Sequence, residues 1–266
     1  MNIAGYRFVD LPDRDKLRTP FKQLCDRLNL KGTILLSHEG INFFLAGKEA
    51  SIDEFLVELA KDERFEGIPL KVSHADHQPF RRMLVKLKRE IISIGIDDVR
   101  PAEKTGSFVS PQEFKQWMDD GEDLLVLDTR NDYEVRLGTF SGAVDLGIQN
   151  FRQFPEAVEG MNDDLKSKRV VMFCTGGIRC EKASVVMMNA GFEDVYQIDG
   201  GVLGYFEKCG GVHWDGECFV FDRRVAVAPD LQETNTVVCF ACREPLTIEE
   251  QSDNSYVPGV SCTYCA

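Results

Sequence analysis

A chain of 266 residues exceeds one ordinary core and predicts two domains with a small appendage. Hydrophobic residues make up 43% and charged residues 28%, as in a soluble globular protein, and no apolar run is long enough to span a bilayer. The net charge of −13 argues at first against a nucleic-acid partner, but it divides unevenly: residues 1–100 hold 17 Lys+Arg against 16 Asp+Glu and the remainder 14 against 28, so the acidity belongs to the second part.

Residues 1–95 read as βαββαβ. Ile3–Val9 is an apolar strand, and Asp13 to Leu28 places Leu17, Phe21, Leu24 and Leu28 at helical spacing. Thr33–Leu36 and Ile41–Leu45 are strands joined across Ser-His-Glu-Gly, Ser51 to Leu59 is a second helix, and Leu70–Ser73 closes the set. Met83–Leu87 alternates like an additional strand. This order resembles the ferredoxin-like split βαβ arrangement, whose open sheet face often receives RNA. Arg81, Arg82, Lys86, Lys88 and Arg89 against Glu90 give a local charge of +4, a patch that could follow a phosphate backbone or simply solvate a strand. His38 and Glu39 on the hairpin turn read as exposed polar residues.

Residues 96–107, with Pro101 and a Lys-Thr-Gly-Ser run, read as a linker. Over 108–210 the pattern becomes alternating strand and helix. Leu124–Asp128, Gly142–Leu146, Val170–Cys174 and Val195–Ile198 are short apolar strands, with helical stretches near 131–137, 150–167 and 180–190, and Phe114 and Trp117 at helical spacing. Buried strands separated by helices predict a parallel sheet covered on both faces, with its working site beyond the carboxyl ends of the strands. Cys174 stands at such an end.

Cys174-Thr175-Gly176-Gly177-Ile178-Arg179 followed by a helix is the pattern of an anion cradle. Glycines let successive N–H groups turn inward, and the helix adds its positive end. A thiolate there, beside Arg179, should titrate below the ordinary thiol value of about 8.5 and act as a nucleophile at neutral pH. Cys180 has two readings, a buried structural thiol or a resolving thiol for Cys174. Asp128 and Arg130 at a strand end are expected to pair and brace the loop. Cys25, Cys209 and Cys218 read as small buried hydrophobes.

Residues 211–266 form a turn-rich extension ending in Cys239-x-x-Cys242 and Cys262-x-x-Cys265. Two such pairs have zinc-ribbon spacing, and four thiolates complete a closed structural tetrahedron. The first residues show neither a signal nor a transit peptide, so a cytoplasmic protein with its nine cysteines reduced is expected.

Asp128-Thr-Arg130, Gly138-Thr-Phe-Ser-Gly-Ala143, the Cys174 loop and Gly200-Gly201 together resemble the rhodanese homology domain. The six-residue loop from Cys174 to Arg179 is that of sulfurtransferases, one residue shorter than in the related dual-specificity phosphatases. Ser37-His-Glu-Gly-Ile-Asn42, Arg82-Met-Leu-Val-Lys-Leu-Lys-Arg-Glu-Ile-Ile92, Asp128-Thr-Arg-Asn-Asp-Tyr-Glu134, Cys174-Thr-Gly-Gly-Ile-Arg-Cys-Glu-Lys182 and Gly216-Glu-Cys-Phe-Val-Phe-Asp222 narrow the likeness. They resemble the bacterial tRNA uridine-34 hydroxylases, which join an acylphosphatase-like (ferredoxin-like) α+β domain to a rhodanese α/β domain. The resemblance implies oxygen-dependent conversion of the wobble uridine in the tRNA anticodon loop to 5-hydroxyuridine, with Cys174 essential. It makes O2 a co-substrate and requires an electron donor that no sequence motif identifies; no flavin, haem or non-haem iron motif is evident. Two other functions compete: a sulfurtransferase carrying a Cys174 persulfide, and a non-catalytic RNA-binding or sulfur-relay module. The sequence assigns no membrane and no oligomeric state.

Overall fold

The computed structural model describes residues 1–75 and 77–266. They form two compact units, Met1–Thr105 and Gly106–Ala266. No described helix is long and apolar enough to cross a membrane.

In the first unit, β1 (Asn2–Phe8), α1 (Arg14–Arg27), β2 (Lys31–Ser37), β3 (Gly40–Ala46), α2 (Glu49–Leu59), β4 (Leu70–Ser73) and β5 (Met83–Leu87) follow one another. The sheet order is β4-β1-β3-β2-β5, antiparallel except where β5 runs parallel to β2. Its first four strands have the ferredoxin-like arrangement. Period-two alternation sends Ile34 and Leu36 of β2 and Ile41, Phe43 and Leu45 of β3 to one face. Phe21 and Cys25 of α1 and Ile52, Phe55 and Leu59 of α2 bury against them.

Residues 96–105, expected as a linker, lie with this unit. The chain after β5 carries apolar anchors that a free linker lacks: Ile91, Ile94 and Val99 are buried. It is also tied back by polar contacts, since Asn42 Nδ2 donates to the Ile91 carbonyl (3.2 Å) and the Ile91 N–H to Glu39 Oε1 (2.7 Å).

The second unit begins with β6 (Ser107–Val109), α3 (Pro111–Asp119), β7 (Leu124–Asp128), α4 (Asp132–Leu137), β8 (Gly138–Phe140) and β9 (Val144–Asp145). It continues through α5 (Phe154–Glu159), β10 (Arg169–Phe173), α6 (Ile178–Asn189), β11 (Asp194–Ile198) and α7 (Gly201–Cys209). Five strands make a parallel sheet, β6-β11-β10-β7-β9, with β10 at its centre. Strand β6 begins at the last residue of the expected linker. The helical stretch expected over 150–167 is divided, because α5 ends at Gly160 and the side chain of Asn162 caps a separate 3₁₀ turn at Asp163–Leu165.

Residues after 211 complete this unit. β12 (Trp214–Gly216) pairs antiparallel with β8, and the Trp214 ring stands edge-on to Phe140 (5.0 Å) and Phe206 (5.3 Å). β13 (Cys218–Phe219) pairs with β14 (Ala226–Val227). Cys218, Val220 and Val227 enter the same core as Phe173 and Tyr205. Beyond them, β15 (Val237–Val238), β16 (Pro245–Leu246) and α8 (Ile248–Gln251) frame the cysteine pairs.

Candidate active site

Parallel strands β7 and β10 end side by side, Phe173 opposite Asp128, which places the following residues along one edge. Strand β10 stops at Phe173, one residue earlier than its apolar run suggests. The Cys174 carbonyl instead accepts the Val202 N–H (2.9 Å), and the Thr175 carbonyl that of Leu203 (3.1 Å). These amides belong to the first turn of α7, so the helix holds the loop by its carbonyls. The approach requires Gly201: its φ is +61°, and a Cβ there would lie 2.3 Å from the Cys174 oxygen. Gly177, at φ +98°, makes the reversal into α6.

With the carbonyls held outside, the loop amides converge on sulfur. The Gly177 N–H donates to Cys174 Sγ at 3.1 Å. Burial (Cys174 is 1% exposed) would by itself push the thiol up. The Cys180 thiol, the Arg179 charge and the N–H groups of Arg179 and Cys180 overcome that and bring it to about 5. Cys218, equally buried but without such donors, is pushed up to about 12. The Cys174 sulfur is therefore a thiolate at neutral pH, and within the loop a Cβ at Gly176 would meet nothing within 4 Å.

Cys180 is fully buried and faces the loop. Its thiol is held well above the ordinary value by burial and by the neighbouring Cys174 thiolate. Thr129 lies 3.6 Å from its sulfur and donates from Oγ1 to the Phe173 carbonyl at 2.9 Å.

Arg179 is held from its far side by a residue that sequence reasoning missed. Glu134, wholly buried, receives both guanidinium nitrogens at 2.6 and 2.7 Å, the Thr175 hydroxyl at 3.3 Å and the Asn131 N–H at 3.2 Å. Burial alone would raise the carboxyl; the Arg179 guanidinium holds it below its usual range. Glutamate on an exposed-looking helix three residues after Asn131 reads as a capping residue, so only the closed fold discloses the pair. Ile178 is the half-buried first residue of α6.

Asp128 and Arg130 form a second, fully buried pair (2.6 and 2.9 Å). The guanidinium also donates to the Gly138 carbonyl (2.6 Å) and lies 5.1 Å from the Trp214 ring, while Thr139 donates to Asp128 (2.8 Å). This pair joins β7, β8 and the tail beneath the loop. Beside the loop stand aromatic residues of the tail: the Phe219 carbonyl accepts from Thr175 (3.3 Å), Tyr133 is edge-on to Phe219 (5.2 Å), and Phe221 lies 5.7 Å from the Arg179 guanidinium.

The four tail cysteines converge, all sulfurs within 4.8 Å of one another. Sulfur separations of 3.9 Å (Cys239–Cys265), 3.5 Å (Cys242–Cys262) and 3.8 Å (Cys262–Cys265) match the edge of about 3.8 Å that follows from tetrahedral Zn–S bonds of about 2.3 Å. The cluster can hold a metal ion. Arg136 of α4 clamps it to the unit, reaching Glu244 (2.9 Å), Glu250 (2.7 Å) and the Pro245 carbonyl (3.1 Å), with its guanidinium 4.2 Å from the Tyr264 ring centre.

In the first unit Arg81, Arg82, Lys86, Lys88 and Arg89 are exposed on and beside the edge strand β5. Arg89 is paired with Asp97. Exposed lysines on an edge strand also discourage pairing with another chain.

The fold and loop define a rhodanese-like protein with an added N-terminal α+β unit. Residues 1–91 match the UPF0176 acylphosphatase-like domain and residues 110–208 the rhodanese-like domain. A protein of Cupriavidus necator named tRNA uridine(34) hydroxylase is 49% identical over 270 residues, spanning 100% of this chain and 96% of its own length. One of Burkholderia lata with the same name is 48% identical over 275 residues, spanning 100% and 97%. The rhodanese-like domain of an Anabaena protein, solved in solution, is 22% identical over 42% of this chain and 80% of its own, with a TM-score of 0.34. The chain belongs to the tRNA uridine(34) hydroxylase family.

Proposed function

We propose that this protein hydroxylates C5 of uridine 34 in tRNA, with the Cys174 thiolate as the nucleophile. The observation that carries the reading is a buried sulfur held as thiolate by inward N–H groups, in a chain matched end to end by hydroxylases of that name. Thiolate attack at C6 of uracil forms an S–C6 bond and moves the ring electrons onto C5. That carbon then meets O2. One oxygen atom enters at C5 as hydroxyl and the other leaves as water, using two electrons from an external reductant and protons taken up from solvent. Loss of the C5 proton and departure of Cys174 from C6 restore the double bond and the thiolate.

In this reading the Glu134–Arg179 pair fixes the guanidinium beside the sulfur, Cys180 donates its S–H to the thiolate, and Asp128–Arg130 braces the strand ends below. Arg81, Arg82, Lys86 and Lys88 supply cations for the phosphates of the anticodon arm. The four tail cysteines fit a zinc ion that would cross-link the ribbon. The reaction belongs in the cytoplasm, where tRNA and reduced thiols coexist.

The test is nucleoside analysis of wobble-uridine tRNAs from cells lacking this protein. Loss of 5-hydroxyuridine derivatives, restored by wild type but not by Cys174→Ala, is the expected result. Intact hydroxylation with lowered thiolation would replace the reading with sulfur transfer.

A further inference from the structure

We infer that Phe221 is the stacking platform for the target base, positioning the pyrimidine for attack by Cys174. The inference rests on the hydroxylase reading above and adds a specificity-determining residue to it.

Phe221 is half exposed (50%), an unusual state for a large apolar ring held on both flanks. On one side it stands edge-on to Phe219 (5.1 Å), whose own backbone carbonyl is bonded to Thr175, the neighbour of the nucleophile. On the other lies the Arg179 guanidinium, 5.7 Å from the ring centre. The Phe221 backbone is fixed where it opens a tight turn. The Val220 N–H donates to the Val225 carbonyl (2.8 Å) and that of Val225 to the Asp222 carbonyl (3.2 Å). A buried Asp222–Arg224 pair (2.5 Å) locks the turn from within. An exposed aromatic face is thus preorganised at the edge of the thiolate loop, in the position where apolar exposure brings the fold nothing.

The occupant follows from the chemistry. A thiolate that attacks C6 of a pyrimidine approaches one face of the ring, which leaves the opposite face to stack on an aromatic side chain. A uridine in an anticodon loop is single-stranded and can be splayed onto an aromatic side chain. Exposed Arg223 on the same turn offers a cation to a flanking phosphate in a unit that is otherwise acidic.

The experiment measures binding and turnover of a 17-nucleotide anticodon stem-loop carrying either uridine or an abasic site at position 34. Wild type should bind the uridine form more tightly, by roughly the 5- to 150-fold that one base–aromatic stack contributes. Phe221→Ala should bind both forms alike, raise KM by the same factor and leave the iodoacetamide reactivity of Cys174 unchanged. Phe221→Trp should restore the preference, which separates stacking from a folding defect. Equal binding of the two forms by wild type, or full preference and KM in Phe221→Ala, would overturn the inference. A Phe221-dependent preference for the base without any hydroxylation by wild type would uphold the platform and remove the hydroxylase reading instead.

Discussion

The protein gathers thiols in two places, and the two solve opposite problems. At the Cys174 loop one sulfur is charged without any metal: backbone N–H groups, the Cys180 thiol and Arg179 surround it in a dry site. In the tail four sulfurs lie within 4.8 Å of one another, and a few backbone N–H groups do not offset four negative charges, so four thiolates there are stable only around a cation. Burial is similar for Cys174 and Cys262, so burial does not distinguish them. What differs is the source of positive potential, supplied by the fold in one case and by a ligand in the other. The first arrangement leaves the sulfur available for chemistry; in the second each sulfur would give an electron pair to a metal ion and serve structure.

That contrast can be broken at either end. The largest effect is expected from Cys174→Ser, which should lower 5-hydroxyuridine formation on purified tRNA by at least about 10³-fold while leaving the melting temperature unchanged. Mass spectrometry of digested tRNA and a thermal melt read the two halves of that statement. Next comes Glu134→Ala. It leaves a buried Arg179 without its partner and should cost about 3–5 kcal/mol of stability, read by urea unfolding. Chelation, or Cys239→Ser, should remove about one zinc per chain and lower the melting temperature. It should leave the turnover of the remaining folded protein within a few-fold, because no tail cysteine touches the loop. A metal-free protein with an unchanged melt would refute the structural role.

A sharper version follows from pH. The Cys174 thiol loses its proton as pH rises through about 5, so iodoacetamide should react in proportion to a thiolate fraction that rises through that value and is flat above it. Arg179 and Cys180 are the groups facing the sulfur, with Glu134 behind the guanidinium. Cys180→Ala, which removes an S–H donor, should move the inflection upward, as should Arg179→Gln. The smallest effect belongs to the first unit: Lys86→Ala and Arg82→Ala should each reduce the salt dependence of tRNA binding by about 0.7–0.9 in the log–log slope.

Much of this was readable before folding. The strand-Cys-Gly-Gly-Arg-helix order forecasts the cradle because glycines and a strand end act locally, and the Cys pairs forecast their cluster because each pair is set by a single turn. The ferredoxin-like order was legible from long periodic segments. Glu134 was not, since nothing near it in sequence says that Arg179, 45 residues later, will close on it. The same holds for β8 and β12, three residues each and paired across more than 70 positions, too short to carry a period. Phe221 reads as one more apolar residue in an apolar run. Its exposure, and with it its meaning, arises only when Cys218 and Val220 are taken by the core.

The most direct test of the central claim uses a tRNA anticodon stem-loop with 5-fluorouridine at position 34. Fluorine at C5 blocks the final proton loss, so a thiolate that adds to C6 stays attached. Wild type should give a denaturation-resistant protein–RNA adduct whose digest carries the nucleotide on Cys174, and Cys174→Ser should give none. Full hydroxylation of normal tRNA by a wild-type enzyme that forms no such adduct would contradict nucleophilic attack by Cys174.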